Sequence, residues 1–153
     1  MSREIEQVYQ VMRSFREVNR TLHHLLRETA DELDTTVVQI MVLKTLGQSP
    51  NIGLNELADH LQLGNSTMSG VVERLVSAGL IVRERSSKDR RSLTMRLTEK
   101  GEEIKQQAFG EDSSLVNNLA NLLDIPQEDL DHLLQTHEKI IEKLAGKGEE
   151  EEL

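Results

Sequence analysis

Apolar residues recur along the first part of the chain at spacings of three, four and seven positions. Such spacings place side chains on one side of a helix, so the pattern predicts a long amphipathic helix from Arg3 to about Ala30. A second apolar-rich run predicts a helix from Val37 to Leu46. It follows a turn over residues 33–36, where a threonine hydroxyl can cap it, and it ends near Gly47. The apolar positions of the first helix are Ile5, Val8, Met12, Phe15, Leu22, Leu25 and Leu26.

Two shorter helices are expected next. Asn55 fits the N-cap of a helix from Glu56 to Leu61. Asn65 fits the N-cap of a helix from Ser66 to Ala78. The second of these helices has one apolar stripe, formed by Met68, Val72, Leu75 and Val76. Its opposite face is small and polar, which allows close approach of a partner; it consists of Ser66, Thr67, Ser69, Gly70, Glu73 and Ser77.

Glycine and proline mark the ends of the helices. Gly79 lies where a left-handed C-terminal cap is expected, with Leu80 placed to fold back on Leu75. After Gly101 the chain returns to helix, with a weak point at Gly110. Pro126 suits the start of the last helix, which extends to about residue 144 and is followed by a short acidic tail.

The segment between these helices predicts a hairpin. Residues 80–85 form one expected strand, and in its antiparallel partner apolar residues alternate with polar ones. The inward-facing positions of the second strand are Leu93, Met95 and Leu97. The tip, Ser86 to Arg91, is longer and more charged than a tight turn requires.

The order of these elements predicts a mainly α fold with a small β-wing, namely a winged helix-turn-helix core flanked by long N- and C-terminal helices. A chain of 153 residues suits one domain. We therefore expect a single domain over 1–153, with dimerisation helices at 1–33 and 102–145, a winged-helix core at 34–101 and an acidic tail at 146–153.

The terminal helices carry stripes of leucine, isoleucine and valine that a small wing domain cannot cover. A two-fold interface with a second copy would bury them, whereas the alternative is that they pack within one protomer. The expected interface residues are Ile5, Val8, Met12, Leu119, Leu123, Leu133, Leu134, Ile140, Ile141 and Leu144.

The charge of the chain is unevenly distributed. Acidic residues outnumber basic ones by 27 to 18, a net charge of −9. From Arg83 to Lys100, however, seven basic and three acidic residues give +4, which leaves −13 for the rest. A basic patch on an acidic body can dock on phosphates while the remainder limits non-specific adhesion to DNA.

These features together favour recognition of duplex DNA. Short polar side chains near the start of a helix can reach base edges in the major groove, and Ser66, Thr67 and Ser69 provide them. A narrow minor groove attracts arginine, and Arg90 or Arg91 at the hairpin tip can extend into it. Asp89 can orient the guanidinium by a paired hydrogen bond. The alternative for this tip is a solvated surface loop.

Seven short segments resemble, in order and spacing, the MarR family of bacterial transcriptional regulators. They are Thr36-Val37-Val38-Gln39, Asn55-Glu56-Leu57-Ala58, Ser66-Thr67-Met68-Ser69, Val72-Glu73-Arg74-Leu75, Gly79-Leu80-Ile81, Asp89-Arg90-Arg91 and Leu97-Thr98-Glu99-Lys100-Gly101. The resemblance covers roughly residues 30–105.

The resemblance implies a homodimer that binds a palindromic operator, usually as a repressor, and responds to a small hydrophobic effector such as an aromatic acid. It implies that Arg91 enters the minor groove and that Arg74 braces the wing or touches a phosphate. At Gly70, relatives often carry a larger polar side chain. The expected DNA-binding residues are Asn65, Ser66, Thr67, Ser69, Gly70, Arg74, Lys88, Asp89, Arg90 and Arg91.

Other chemistry finds little support in the sequence. The chain has no cysteine, which excludes disulfides and thiol-based sensing. No phosphate-binding loop or hydrolase motif is present, so we expect no enzyme and no cofactor. Glu56 and His60 share a helix face, either as a surface pair or as two ligands of a metal-sensing repressor. With no apolar signal core or membrane-length run, we expect a cytoplasmic protein.

The leading hypothesis is thus a dimeric, effector-responsive DNA-binding regulator. Candidate effector contacts are Phe15, His24, Met41 and Phe109. The rival is a winged-helix module that binds proteins and not DNA, which the net acidity favours.

Overall fold

The computed structural model describes residues 2–86, 88 and 92–146. Its first helix, α1 (Arg3–Glu32), extends two residues beyond the expected end, and the Ser2 hydroxyl accepts a hydrogen bond from the Ile5 amide over 3.4 Å. Only Thr29 and Ala30 of α1 are fully buried. Of its apolar stripe, Ile5, Val8 and Leu22 are exposed in the single chain, and the other four residues are half-buried.

The second helix, α2 (Val37–Gln48), begins with a reciprocal cap. The Gln39 amide donates to the Thr36 hydroxyl over 3.2 Å, and the Thr36 amide donates to the Gln39 side chain over 3.1 Å. This capping box confirms the expected threonine cap. The helix continues through Gly47, near which the end was expected, and the outer part of the Lys105 side chain packs closely over this glycine.

The two short helices begin earlier than the sequence predicts. The third helix, α3 (Leu54–His60), has Gly53 at its N-cap, and the fourth, α4 (Asn65–Ser77), has Gly64. The prediction that Asn55 and Asn65 are N-caps is therefore wrong. Both lie inside the first turn of their helices, and the Asn65 amide group donates to the Asn55 side-chain oxygen over 2.8 Å. The two asparagines thus link the helices to each other.

The end of α4 follows the prediction. Gly79 has a positive φ of 73°. The Leu80 amide donates to the Leu75 carbonyl over 2.9 Å, and the Gly79 amide donates to the Val76 carbonyl over 3.0 Å. This pair of bonds is the Schellman motif, and both leucines belong to the main core.

The wing is a two-stranded antiparallel sheet of β1 (Ile81–Arg85) and β2 (Leu93–Leu97). On its other side Met95 exchanges two backbone hydrogen bonds, donating to Ile52 and accepting from Asn51, each 3.1 Å long. Met95 is buried, but Leu93 is 52% exposed. Leu93 was expected to face the core with Met95 and Leu97, but it is exposed because the hairpin extends past the edge of the core.

The C-terminal part contains more breaks than expected. α5 (Glu99–Phe109) begins before Gly101 and has Gly110 as its C-cap. Gly110 therefore ends a helix, where the sequence predicted only a weak point within one. α6 (Ser114–Ala120) leads into a 3-10 turn (Asn121–Asp124), and α7 (Gln127–Leu144) starts after Pro126, as expected. Residues 147–153, most of the predicted tail, lie outside the described residues.

The described chain forms two compact units, which divide after Asn117. The first contains α1 to α5, the wing and most of α6, and its main core joins α2, α3, α4 and the wing. A second cluster joins Ala30, Ile40 and Ala108. The second unit contains α7, none of whose residues is fully buried. The organisation as a single domain stays a prediction.

None of the helices in the described part of the chain combines the length and the apolar character that crossing a bilayer requires.

Among the glycines that the structure describes, Gly101 lies closest to another segment of the backbone. A Cβ built at this position would lie 1.9 Å from the Leu80 carbonyl oxygen, whereas one at Gly70 meets no described atom within 4 Å. We expect Gly101→Ala to lower the free energy of unfolding by several kcal/mol, since backbone must move. Gly70→Ala should raise it by about 0.5–1 kcal/mol through helix propensity. Urea denaturation of both variants tests this, and equal stabilities would contradict the close crossing.

Candidate nucleic-acid interface

Helix α4 has one buried face and one exposed face. Met68, Val71, Val72 and Leu75 are buried in the core. Ser66 and Thr67 are exposed in the first turn, and Arg74 is exposed in the last turn. Ser69 and Gly70 are half-buried. The helix therefore presents short hydroxyl side chains at its N-terminal end, as the sequence predicts.

The first turn of α4 is free of a capping side chain. Gly64 occupies the N-cap in an extended conformation, and no described side chain accepts a hydrogen bond from the turn. The first amide groups of a helix have no partner inside the helix and carry a partial positive charge. An anion such as a phosphate group can accept hydrogen bonds there.

The wing carries an ion pair on one face. The Nε of Arg96 donates to the Oε1 of Glu84 over 2.9 Å, and its terminal nitrogen lies 2.7 Å from the same oxygen. This hydrogen bond, together with the charge of Arg96, holds the pKa of Glu84 below its usual value and raises the pKa of Arg96. The register pairs Glu84 with Thr94 and Val82 with Arg96, so the ion pair is a diagonal cross-strand contact.

A polar cleft of about 440 Å³ lies beside the outer end of the wing, toward its tip. Its lining residues are Pro50, Asn51, Glu84, Arg85, Ser86, Lys88 and Thr94. Lys88 is exposed, and its backbone amide donates to the Ser86 hydroxyl over 3.2 Å. The wing thus adds cations close to the start of the predicted tip. Asp89, Arg90 and Arg91 lie outside the described residues.

The four candidate effector contacts, Phe15, His24, Met41 and Phe109, do not line one common cavity among those described. Met41 lines an apolar cavity of about 290 Å³ with residues of α2 and of the segment that follows α3, and Phe15, His24 and Phe109 are not among its lining residues. The Nε2 of His24 lies 3.1 Å from the Oε1 of Glu28. The Nζ of Lys44 lies 5.2 Å from the centre of the Phe109 ring, a cation–π contact.

Within the described residues, no group of three or more histidine, aspartate and glutamate side chains is placed to hold a metal ion. Glu56 and His60 lie on the short helix α3 and are both exposed.

Two features of this surface were missed at the sequence level. One is the Asn55–Asn65 hydrogen bond, and the other is a set of bonds from Thr98 and Lys100 to the end of α4. Each joins residues ten or more positions apart. Local patterns carry no signal for such pairs, although the Glu84–Arg96 pair could have been found from the strand register.

Two helices joined by a short turn and followed by a two-stranded hairpin define a winged helix-turn-helix protein. Comparison with known proteins agrees with this class. Residues 35–93 match the model of the MarR family. The organic hydroperoxide resistance transcriptional regulator of Bacillus subtilis is 28% identical over 135 residues, which cover 88% of this chain and 86% of the relative.

Solved structures show the same fold. One MarR family transcription regulator superimposes with a TM-score of 0.80 at 21% identity, covering 93% of each chain. A mutant MarR from E. coli complexed with operator DNA gives a TM-score of 0.72 at 25% identity, covering 92% of this chain and 99% of that one. The MarR resemblance found in the sequence is thereby confirmed, and the relatives that the chain matches are transcriptional regulators.

The Glu84–Arg96 pair gives a pH-dependent prediction. Because the pKa of Glu84 is lowered in the folded wing, the contribution of the pair is present above the unfolded pKa and is lost as the pH falls through the folded pKa. Arg96→Gln should move the Glu84 titration back toward its usual range, as followed by carboxyl NMR. Arg83→Gln, an exposed arginine paired with Met95, is the control and should leave the midpoint in place. An unchanged midpoint in the first variant would rule out the ion pair in solution.

Proposed function

We propose that this chain is a sequence-specific transcriptional regulator that inserts α4 into the major groove of duplex DNA. The observation that carries the proposal is the first turn of α4, which combines exposed Ser66 and Thr67 with amide groups that no described side chain caps. The hydroxyls can reach base edges, and the amides can hold the adjacent phosphate. A mutant MarR of E. coli, a structural neighbour, was solved in complex with operator DNA, which supports DNA binding by this chain.

The remaining roles follow from position. Asn65, Ser69 and Gly70 line the part of α4 that approaches the groove. Arg74 contacts a phosphate near the end of the helix. The wing contributes Lys88 and, from the tip, Asp89, Arg90 and Arg91, with Arg91 in the minor groove. These assignments rest on the exposed face of α4, on the cations beside the wing and on the family resemblance.

The proposal includes a homodimer on a palindromic operator. Apolar side chains of α1 and α7 are widely exposed in the single chain: Val8 is 55%, Leu134 61%, Ile141 65% and Leu144 70% exposed. A second copy related by a two-fold axis would bury such stripes and would place two copies of α4 at half-sites roughly 34–36 Å apart. The other interface residues of the proposal are Ile5, Met12, Leu119, Leu123, Leu133 and Ile140.

Regulation follows from the same geometry. A small apolar effector that binds one spacing of the two α4 helices better than another shifts the population of dimers that fit DNA. We propose that the protein acts as a repressor in the cytoplasm and is released by such an effector.

A second candidate is a winged-helix module that binds other proteins and not DNA. The net charge of −9 favours it, because an acidic body repels DNA. The salt dependence separates the two candidates: a DNA-binding protein loses affinity linearly in logarithmic salt as counterions are released. Selection from a random duplex pool at low salt tests both, and failure to enrich any sequence would favour the protein-binding module.

Side chains on α4 should divide into two groups by their effect on DNA binding. Arg74→Gln should weaken binding to all duplexes alike and reduce the slope of log affinity against log salt by about one. The double variant Ser66→Ala/Thr67→Val should instead lower affinity for the selected sequence by about 1–3 kcal/mol. Arg20→Gln, an exposed arginine of α1, controls for the charge change. Electrophoretic mobility at several salt concentrations measures these effects, and equal behaviour of the two arginine variants would contradict the phosphate role.

The dimer is tested on α7. Ile141→Glu places a charge in the exposed apolar stripe, whereas Gln135→Glu adds the same charge on the polar side of the same helix. Because burial of an unpaired carboxylate is costly, the first variant should sediment at half the mass of the second. If both variants keep the mass of two chains, the stripe of α7 is not part of the interface.

A further inference from the structure

The segment that begins α5 is hydrogen-bonded to three consecutive carbonyl groups at the end of α4. The Thr98 amide donates to the Leu80 carbonyl over 3.1 Å, and the Thr98 hydroxyl donates to the Gly79 carbonyl over 2.6 Å. The Nζ of Lys100 donates to the Ala78 carbonyl over 3.3 Å. The last carbonyls of a helix have no partner inside it, so these donors satisfy groups that would otherwise need water.

The Thr98 hydroxyl has a second partner. Its oxygen accepts a hydrogen bond from the Gly101 amide over 3.0 Å, which caps the start of α5. One hydroxyl group therefore donates a hydrogen bond to the end of α4 and accepts one from the first turn of α5. Gly101, whose missing Cβ lets the Leu80 carbonyl approach, keeps this crossing close.

The adjacent Ile81–Leu97 pair of the hairpin ties β1 to β2, but the other hydrogen bonds described at this end of α4 do not run to α5. The Schellman bonds from Gly79 and Leu80 run to carbonyls of α4 itself and fix the turn, not its relation to α5. Leu75 and Leu80 pack in the core, but apolar packing is not directional. The hydrogen bonds from Thr98 and Lys100 are directional and link α4 to a separate helix.

A small tilt of α4 at its C-terminal end produces a larger displacement at its N-terminal end. A helix of 13 residues is about 20 Å long, so a tilt of about 5° around its C-terminal end moves its first turn by about 1.7 Å. Hydrogen bonds to base edges tolerate shifts of only a few tenths of an ångström. Thus a small loss of restraint at Gly79 would misplace Ser66 and Thr67.

We propose that Thr98 is a positioning residue for DNA reading: its hydroxyl holds the C-terminal end of α4 on the start of α5 and so sets the orientation in which the first turn of α4 meets the bases. The inference rests on the proposed function of α4. It predicts that Thr98 determines the discrimination between specific and non-specific DNA.

Three substitutions separate positioning from capping. Thr98→Ser keeps the donor and the acceptor. Thr98→Asp keeps an acceptor that can cap α5 but replaces the donor to Gly79 with a carboxylate. Thr98→Val removes both. For each variant we would measure urea unfolding and the affinity for the selected operator and for an unrelated duplex of equal length at one salt concentration. The unrelated duplex corrects for the added charge.

The ratio of operator affinity to unrelated-duplex affinity should be unchanged in the serine variant. It should fall about threefold to tenfold in the aspartate and valine variants, the value of one hydrogen bond. Only the valine variant should also lose stability through the missing cap. If the aspartate variant keeps the wild-type ratio, the hydroxyl acts only as a cap and the proposal is wrong.

Hydrogen exchange measured without DNA tests the role of Thr98 independently of the proposed DNA binding by α4. The amides of Ala78, Gly79 and Leu80 are hydrogen-bonded to carbonyls of α4. Their hydrogen exchange, relative to that of Met68, should accelerate in the aspartate and valine variants and not in the serine variant. Unchanged exchange overturns the role of Thr98 even if operator binding is found. A wild-type protein that selects no duplex overturns the proposed function of α4 and with it the role in DNA discrimination.

Discussion

The crossing of α5 over the end of α4 is the constraint on which the rest of the winged-helix unit depends. β1 starts at Ile81, immediately after the Leu80 carbonyl that faces Gly101, and β2 ends at Leu97, immediately before Thr98. The register pairs Ile81 with Leu97, so the crossing also closes the base of the hairpin. The direction of α4, the direction of the wing and the start of α5 are consequently settled at one place.

This arrangement explains how one helix can be both well fixed and accessible. The buried side chains of α4 attach it to α2, α3 and the wing, and its C-terminal end is bonded to α5. Its first turn, in contrast, keeps its polar groups exposed. A surface that reads another molecule needs this division, because groups that are satisfied internally cannot bind outside and groups that move cannot discriminate.

Much of the fold could be predicted from the sequence where the cause is local. The threonine cap of α2 and the left-handed glycine after α4 depend on residues within a single turn, and both are as predicted. The caps at Asn55 and Asn65 were misassigned because the helices begin one or two residues earlier, at Leu54 and Asn65, and the two asparagine side chains bond to each other across ten positions. The alternation of apolar and polar residues correctly predicted that Met95 is buried. It does not show where the core ends, so the exposure of Leu93 was not predicted. The exposed hydroxyls of the candidate site could be predicted from helix spacing, whereas the attachment of Thr98 to Gly79 spans 19 positions and could not.

The glycine that precedes α4 has a further consequence. Gly64 has an ordinary extended backbone, with φ −67° and ψ 152°, and a Cβ there would meet no described atom within 4 Å. Neither strain nor crowding therefore keeps serine or aspartate from this position, where either would stabilise the helix by a few tenths of a kcal/mol. In the proposed DNA complex, such a side chain would compete with a phosphate group for the first amide groups of α4. If α4 binds DNA as proposed, a substitution chosen at Gly64 for stability alone would therefore work against recognition.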